Sequence, residues 1–433
     1  MDIMNNKRRR LSAFGLCAIA GVFLIGCNSE EIEMIHNDIQ NEQMDNSETE
    51  MSVISEDENM NNDDSATENT SDPDYESVNI NKKQIMANMD ILKTLYDENS
   101  GENVLFSPVS LNTALEIYGS MLDNESAKTQ LEEYLGEKNY LSYNYNNTEV
   151  YRSINTIWAD QNHDKLDFSS IDKELTIQKV DMSDPASTDK KNKYVSEQTD
   201  GFIESTPVEF DEDTIMDIMN ILYFQDGWEG GPLDEFEEYT EFKNADGTTS
   251  ELEYMIGNDG DSSCYYKGNS STAFYLDYIN GMSFWAVLPN EESFDFESLT
   301  SDVDGYINNR ESLKVNKSEN GLSLEVVFAM PCFENSFNTG FEDTAIPSLI
   351  QEPISTDICP YEIKNSINQI AKIKVDETGT TAAAVTEVVM ELTAMPSEMP
   401  EQYYFICDRP FMYFIYDNVN EDIAFMGIVN KIK

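Results

Sequence analysis

From residue 380 to residue 392 the side chains alternate. Thr380, Ala382, Ala384, Thr386, Val388, Met390 and Leu392 fall on one face, small at first and then apolar, while the intervening set carries Glu387 and Glu391. A period of two predicts a half-buried strand. Its start is weak, because Gly379 and an alanine run have little β-propensity, and no proline interrupts residues 378–395, so the whole stretch can donate to a ladder. Elsewhere the spacing is helical. Ile85, Met89, Ile91, Leu92 and Leu95 predict a helix over 79–96, and Leu111, Ala114, Leu115 and Tyr118 predict a second that starts at Ser107-Pro108, with proline where helix N-termini favour it. A third is predicted over 125–135. Unbroken apolar runs at 284–289, 324–329 and 412–416 read as buried strands, and helices first with strands later predicts an α+β architecture.

The first 78 residues follow different rules. Lys7 to Arg10 are basic, the apolar run 11–25 is too short for a membrane-spanning helix, and Leu24-Ile25-Gly26-Cys27 follows. Residues 1–27 therefore read as a secretory signal whose end resembles the bacterial lipobox, with Cys27 as the lipid-bearing residue. An uncleaved signal anchor is the alternative, and either places the rest of the chain outside the cytoplasmic membrane. Residues 28–77 contain no Lys or Arg. Residues 28–78 thus predict an acidic, disordered, self-repelling spacer, since such a composition buries too little apolar surface to offset chain entropy; an acidic tail with a partner of its own is the other reading. Residues 79–433 remain for one large domain of about 350 residues.

Charge and chemistry narrow the function. The formal net charge of −56 argues against nucleic acid, whose binding depends on neutralising phosphates, and favours a basic protein surface as partner. There are two histidines: His36 lies in the spacer and His163 in a turn-like Asp-Gln-Asn-His-Asp stretch. A Ser-His-Asp or Cys-His hydrolase needs a histidine held against its nucleophile by a third group, and neither location offers that setting. With no phosphate loop, dinucleotide fingerprint or H-E-x-x-H, no enzyme activity, cofactor or metal is expected. Beyond Cys17 and Cys27 the cysteines are Cys264, Cys332, Cys359 and Cys407. Their spacing fits neither a disulfide scaffold nor a zinc site, so free buried thiols are expected.

The segment 376–386, Asp-Glu-Thr-Gly-Thr-Thr-Ala-Ala-Ala-Val-Thr, resembles the E-x-G-T-x-A-A-A-x-T hinge of the reactive-centre loop of serpins. Other motifs follow in family order over residues 80–433. Residues 103–111 resemble N-x-x-F-S-P-x-S-I, 192–203 resemble N-x-W-V-x-x-x-T-x-G-x-I, and 220–228 resemble N-x-x-Y-F-K-G-x-W. Met330-Pro331-Cys332-Phe333 resembles M-P-K-F, and Asp408-Arg409-Pro410-Phe411 with Phe425-Met426-Gly427 resembles the closing D-H-P-F and F-x-G. For the aromatics Phe106, Trp228, Phe333 and Phe411 the resemblance reports fold rather than chemistry, since large rings dominate cores.

The resemblance implies a serpin fold, with helices around a large mixed central β-sheet, further sheets and an exposed reactive-centre loop. It also implies a monomeric protease inhibitor that acts as a suicide substrate. The target cuts the loop, forms an acyl-enzyme, and is carried along as the freed loop inserts into the central sheet. Glu377, Gly379, Thr380, Thr381, Ala382, Ala383 and Ala384 would be the hinge. Ser107, Ser110, Asn220, Gln369 and Trp228 would sit where the sheet opens. Counting from Gly379 as inhibitory members do gives Thr393-Ala394 as the scissile bond, while counting back from Pro410 points nearer Ser397. The window Leu392, Thr393, Ala394, Met395, Pro396, Ser397 has no Lys or Arg. That disfavours trypsin-like targets and suits elastase-like or subtilisin-like serine proteases or papain-like cysteine proteases.

Three departures from the family pattern stand out. Residues 136–150 are short and Asn/Tyr-rich where another helix is usual, so that helix is expected to be reduced or missing, and heparin-like activation there is not expected. Gln369 replaces a usual histidine, and its amide supplies both donor and acceptor. Thr381 stands where glutamate is common, on the outward face. With the loop exposed, Thr380→Arg is expected to block insertion and spare the native fold. The rival readings are a non-inhibitory serpin-fold binding protein and a surface solute-binding or adhesive lipoprotein. The expected location is the bacterial cell surface, held there by the lipid.

Overall fold

The computed structural model describes residues 73–432 except 137, 144–149, 172–174, 207, 236–240, 259–263, 319, 362–364 and 381–400. Helix α1 (Pro73–Glu98) begins earlier than the apolar spacing predicts, because its first turns lie outside the stretch carrying that spacing. Helix α2 (Pro108–Ser120) starts as expected: the Ser107 side chain caps it by accepting from the Ser110 N–H, and proline fills the first position. Helix α3 (Glu125–Leu135) has the predicted bounds and is capped by Asn124. Helices α4 (Pro185–Gln198) and α5 (Phe296–Asn308) follow, capped by Asp184 and Asp295. Between α3 and residue 150 the described residues hold a single 3₁₀ turn, Tyr140–Ser142.

The predicted apolar strands are central. Met282–Pro289 and Phe411–Asp417 pair antiparallel inside a six-stranded sheet, next to Asp422–Val429 and Val104–Phe106. Met282–Pro289 and Asp422–Val429 are buried at every position, which is why their sequences run apolar without alternating. Trp285 stacks on Phe414 at 5.5 Å, and Phe284 on Tyr413 at 5.9 Å. Leu324–Pro331 joins a second sheet in parallel with Glu401–Ile406.

The remaining large sheet comes in two halves. Met216–Phe224 pairs antiparallel with Tyr151–Asp160, which pairs in parallel with Thr176–Val180. Asn368–Asp376 pairs antiparallel with Phe333–Gly340. The halves meet at one end only, where Gly379–Thr380 lies between Asn368–Asp376 and the two-residue strand Asp226–Gly227 that continues Met216–Phe224. Among the described residues no ladder joins Met216–Phe224 directly to Asn368–Asp376. Helix α2 packs beneath this region against Met216–Phe224.

Candidate functional site

The head of the divide is built from a tight turn. Val375 faces Thr380 and Asp376 faces Gly379, leaving Glu377-Thr378 as a two-residue connection. Its geometry follows from short-range hydrogen bonds: Oδ1 of Asp376 accepts from the Thr378 N–H at 3.0 Å and from its hydroxyl at 2.6 Å. Burial opposes ionisation of Asp376, but the bonds from Thr378 and Lys374 outweigh it and hold the carboxyl below its usual range. The segment after Asp226–Gly227 clasps the turn from outside. The Trp228 N–H donates to the Thr378 carbonyl at 3.3 Å, its indole N–H to the Asp376 carbonyl at 3.1 Å, and the Leu233 N–H to the Glu377 carbonyl at 2.8 Å.

Gly379 is required here twice over. Its φ of +142° lies where L side chains are strained, and a Cβ would stand 2.1 Å from the Asp226 carbonyl oxygen and 2.8 Å from the Gly227 Cα. Thr380 follows at 1% exposure, its hydroxyl bonded to the Tyr278 hydroxyl. The Tyr278 ring is itself enclosed: it stacks on Trp228 at 4.7 Å and meets the Phe224 edge at 4.9 Å, and burial drives its phenol well above the ordinary range. This corrects the sequence expectation for Thr380→Arg. The side chain is already seated in the sheet, so an arginine there disturbs the native fold as well as insertion.

Asp226 is a feature that sequence reading missed. It is 4% exposed and accepts from the Gly227 N–H at 2.9 Å and from the Asn280 N–H and side-chain amide at 2.9 and 3.0 Å. Burial raises its carboxyl and these donors pull the other way, with the net shift upward. It ties the turn after Tyr278 to the strand that receives Gly379 and Thr380. A signal was available, since Asp226 stands at the glycine of the N-x-x-Y-F-K-G-x-W pattern.

Below the head, Ser107, Ser110, Asn220 and Gln369 come together, and Trp228 lies with the hinge turn instead. The inward row of Asn368–Asp376 is Gln369, Ala371, Ile373 and Val375, so an amide ends an otherwise apolar row and needs partners. It finds them in the backbone of one residue, Ser107: Oε1 accepts from the Ser107 N–H at 2.8 Å and Nε2 donates to the Ser107 carbonyl at 3.0 Å. The Ser107 hydroxyl donates to the Ala424 carbonyl at 2.7 Å. Ser110 donates weakly, at 3.5 Å, to the Asn220 carbonyl. Asn220 in turn donates to Asn155 at 2.6 Å and Ser153 at 3.0 Å, while its buried Oδ1 has no partner among the described residues.

Ser110, Asn220, Ile221 and Gln369 line a cavity of about 60 Å³ between the two facing strands, and a second of about 390 Å³ lies toward Tyr118, Asp213, Asp217 and Asn368. The site therefore has a closed head and an open lower part. Thr381, Ala382, Ala383 and Ala384, the window Leu392, Thr393, Ala394, Met395, Pro396 and Ser397, the anchor Cys27 and residues 28–72 of the spacer lie outside the described residues, while residues 73–78 belong to α1, which corrects the expectation of disorder up to residue 78. The predicted strand beyond Thr380 also lies outside the described residues.

Two other expectations are placed by the structure. His163 bonds Asp160 and meets the Tyr361 ring edge-on at 4.8 Å, a local turn contact. Among the described residues Cys264, Cys332, Cys359 and Cys407 form no disulfide, but Cys264 and Cys332 are only half-buried, which corrects the expectation that all four are buried. Cys332 stands at the lysine of M-P-K-F and lies 3.7 Å from the Glu377 carboxylate. Burial and that carboxylate push its thiol up to about 12.

The model of the family described as "Serpin (serine protease inhibitor)" matches residues 84–432. An alpha-1-antitrypsin homolog of Cyprinus carpio is 25% identical over 262 residues, 58% of this chain and 66% of that protein, so the match spans just under two thirds of it. A serpin-like protein of Thermococcus kodakarensis is 26% identical over 360 residues, 77% of this chain and 82% of its own. Among solved structures, the native state of the thermophilic serpin tengpin superposes with a TM-score of 0.65 at 21% identity, over 85% of this chain and 96% of that one.

Proposed function

Because this chain belongs to the serpin family, we propose that it inhibits proteases by loop insertion, as a suicide substrate. One observation carries the reading: Gly379 and Thr380 already sit as the first two residues of a strand between Asn368–Asp376 and Asp226–Gly227, at the head of a divide that nothing described bridges lower down. A strand continuing from Thr380 would add ladders to both bare edges. Insertion would be downhill once a cut frees the loop, and the uncut state is held by a barrier rather than by equilibrium stability. The small residues 380–384 support this over a non-inhibitory binding protein, since small side chains enter a sheet without displacing its packing.

The finer reading concerns target and place. A scissile bond at Thr393-Ala394, within 392–397, leaves enough strand to carry a protease along the sheet and suits elastase-like, subtilisin-like or papain-like enzymes. Cys27 would hold the domain to a bacterial membrane through the acidic spacer. Incubation with a panel of such proteases should give an SDS-stable complex, with the acyl bond mapping inside 392–397. Cleavage by every enzyme without any complex would favour the non-inhibitory reading. Fatty-acid labelling should mark the wild type and spare Cys27→Ser; equal labelling of both would remove the anchor.

A further inference from the structure

Lys191 is a fully buried lysine that the insertion mechanism as described does not use. It lies in α4, whose Val195 shares an apolar cluster with Met219 and Ile221 of one edge, with Ile370 of the other edge packed against it, and its ammonium donates to the Val208 carbonyl at 2.6 Å and to Asp217 Oδ2 at 3.0 Å. It also sits 4.1 Å from the centre of the Phe210 ring. Asp217 is the second residue of Met216–Phe224, one edge of the divide, and both Lys191 and Asp217 line the cavity between the edges. A lysine ammonium leaves water only when charge and hydrogen bonds replace it. Here they do so by joining α4, the returning segment at Val208 and one edge strand at a single point.

The other edge is held differently. Lys372 of Asn368–Asp376 reaches the Phe202 ring at 4.7 Å and pairs with Glu334 at 3.0 Å while still a quarter exposed, and Ile370 packs against the apolar cluster under α4. Apolar and solvated contacts can slide. A fully buried ammonium such as that of Lys191 cannot leave its partly buried partner Asp217 without its charge being left bare. The cover over the divide is thus pinned to the Met216–Phe224 edge and merely rests on the Asn368–Asp376 edge.

We infer that the Lys191–Asp217 pair is a brake on strand insertion. It holds α4 down over the lower divide, and its strength sets how fast a strand can pass beneath. The inference rests on the insertion reading above and adds to it a pair of positioning residues remote from the hinge. Loosening the pair should speed passage, raising the fraction of protease trapped and the rate of spontaneous loop burial together.

The test measures uptake of a fluorescent synthetic peptide with the sequence of residues 379–392 by the full chain. Lys191→Met keeps the apolar stem and removes the charge, and Asp217→Asn weakens the pair from the other side. Each should take up peptide about tenfold faster than wild type, and the double variant no faster than the quicker single, as expected of two residues sharing one interaction. A merely structural pair would lower the heat stability of the loop-cleaved form and leave uptake unchanged. Rates within twofold of wild type, or slower, in both variants would overturn the inference and leave the inhibitor reading standing. If Lys191→Met does not fold, Asp217→Asn alone decides between the same outcomes. A wild type that neither takes up peptide nor forms a protease complex would remove both.

Discussion

The head and the lower part of the divide are made from the same two strands and behave oppositely. At the head, the carbonyls of Asp376, Glu377 and Thr378 are all paired, Gly379 and Thr380 sit in two ladders, and the Thr380 hydroxyl is matched by Tyr278. Lower down the strands part around cavities, the buried Asn220 Oδ1 has no partner among the described residues, and the ion pair Lys191–Asp217 lines the gap. The difference teaches where the barrier to insertion lies. On the proposed insertion mechanism, nucleating a strand would be the costly step, and Gly379 and Thr380 would have completed it in the native fold. What remains is propagation into a space kept open, controlled by packing rather than by the hinge.

The largest break in that comparison should come from Gly379→Val. A Cβ clash with the Asp226 backbone and a positive φ on a β-branched residue should cost about 3–5 kcal/mol, seen as a lower unfolding midpoint and loss of covalent complex. Retention of both would mean that the head opens at little cost. Thr380→Arg comes next. Seating an unpaired cation in the closed head should destabilise the uncut protein by about 3 kcal/mol, so its unfolding midpoint should fall together with complex yield. A normal midpoint with lost complex would restore the picture of an exposed Thr380.

Gln369→Leu should cost about 2 kcal/mol by leaving the Ser107 N–H unmatched in the core, the Ser107 carbonyl keeping only its bond from the Leu111 N–H, and Gln369→Glu, which keeps the acceptor, should recover part of it. Urea unfolding of the three forms checks the order. The smallest effect is a pH dependence. The Asp226 carboxyl is raised in the fold, so its favourable contribution is complete below the unfolded-state value near 3.9 and declines as pH rises through the higher folded-state value. The stability of wild type relative to Asp226→Asn should therefore increase as pH falls from 7 towards 4. A flat difference would show that the three donors cancel the burial.

Some of this was legible in the chain. The Ser107 cap with Pro108 behind it, and the bounds of the helix Glu125–Leu135, depend on interactions within a few residues, and the structure keeps both. The apolar runs became core strands one or two residues longer than predicted, because strand ends are set by the neighbour in the ladder. Thr380 was misjudged for a related reason: alternation gave its face correctly, but whether that face was already covered depends on Tyr278 and Asp226, about a hundred and more residues away in sequence. Asp226 and Lys191 look like two more charges among 83 acids and 27 bases.

The sequence by itself determined the turn that Asp376 and Thr378 close, the alternation of small residues that starts at Thr380 and the family to which these belong, since all rest on local conformation and residue type. Tertiary structure alone decided that Gly379 and Thr380 sit between two strands, that one glutamine amide serves both backbone polar groups of a distant serine, and that one lysine is stripped of water beside the divide. Those outcomes depend on which surfaces lose solvent, and burial is a property of the packed chain rather than of any segment in it.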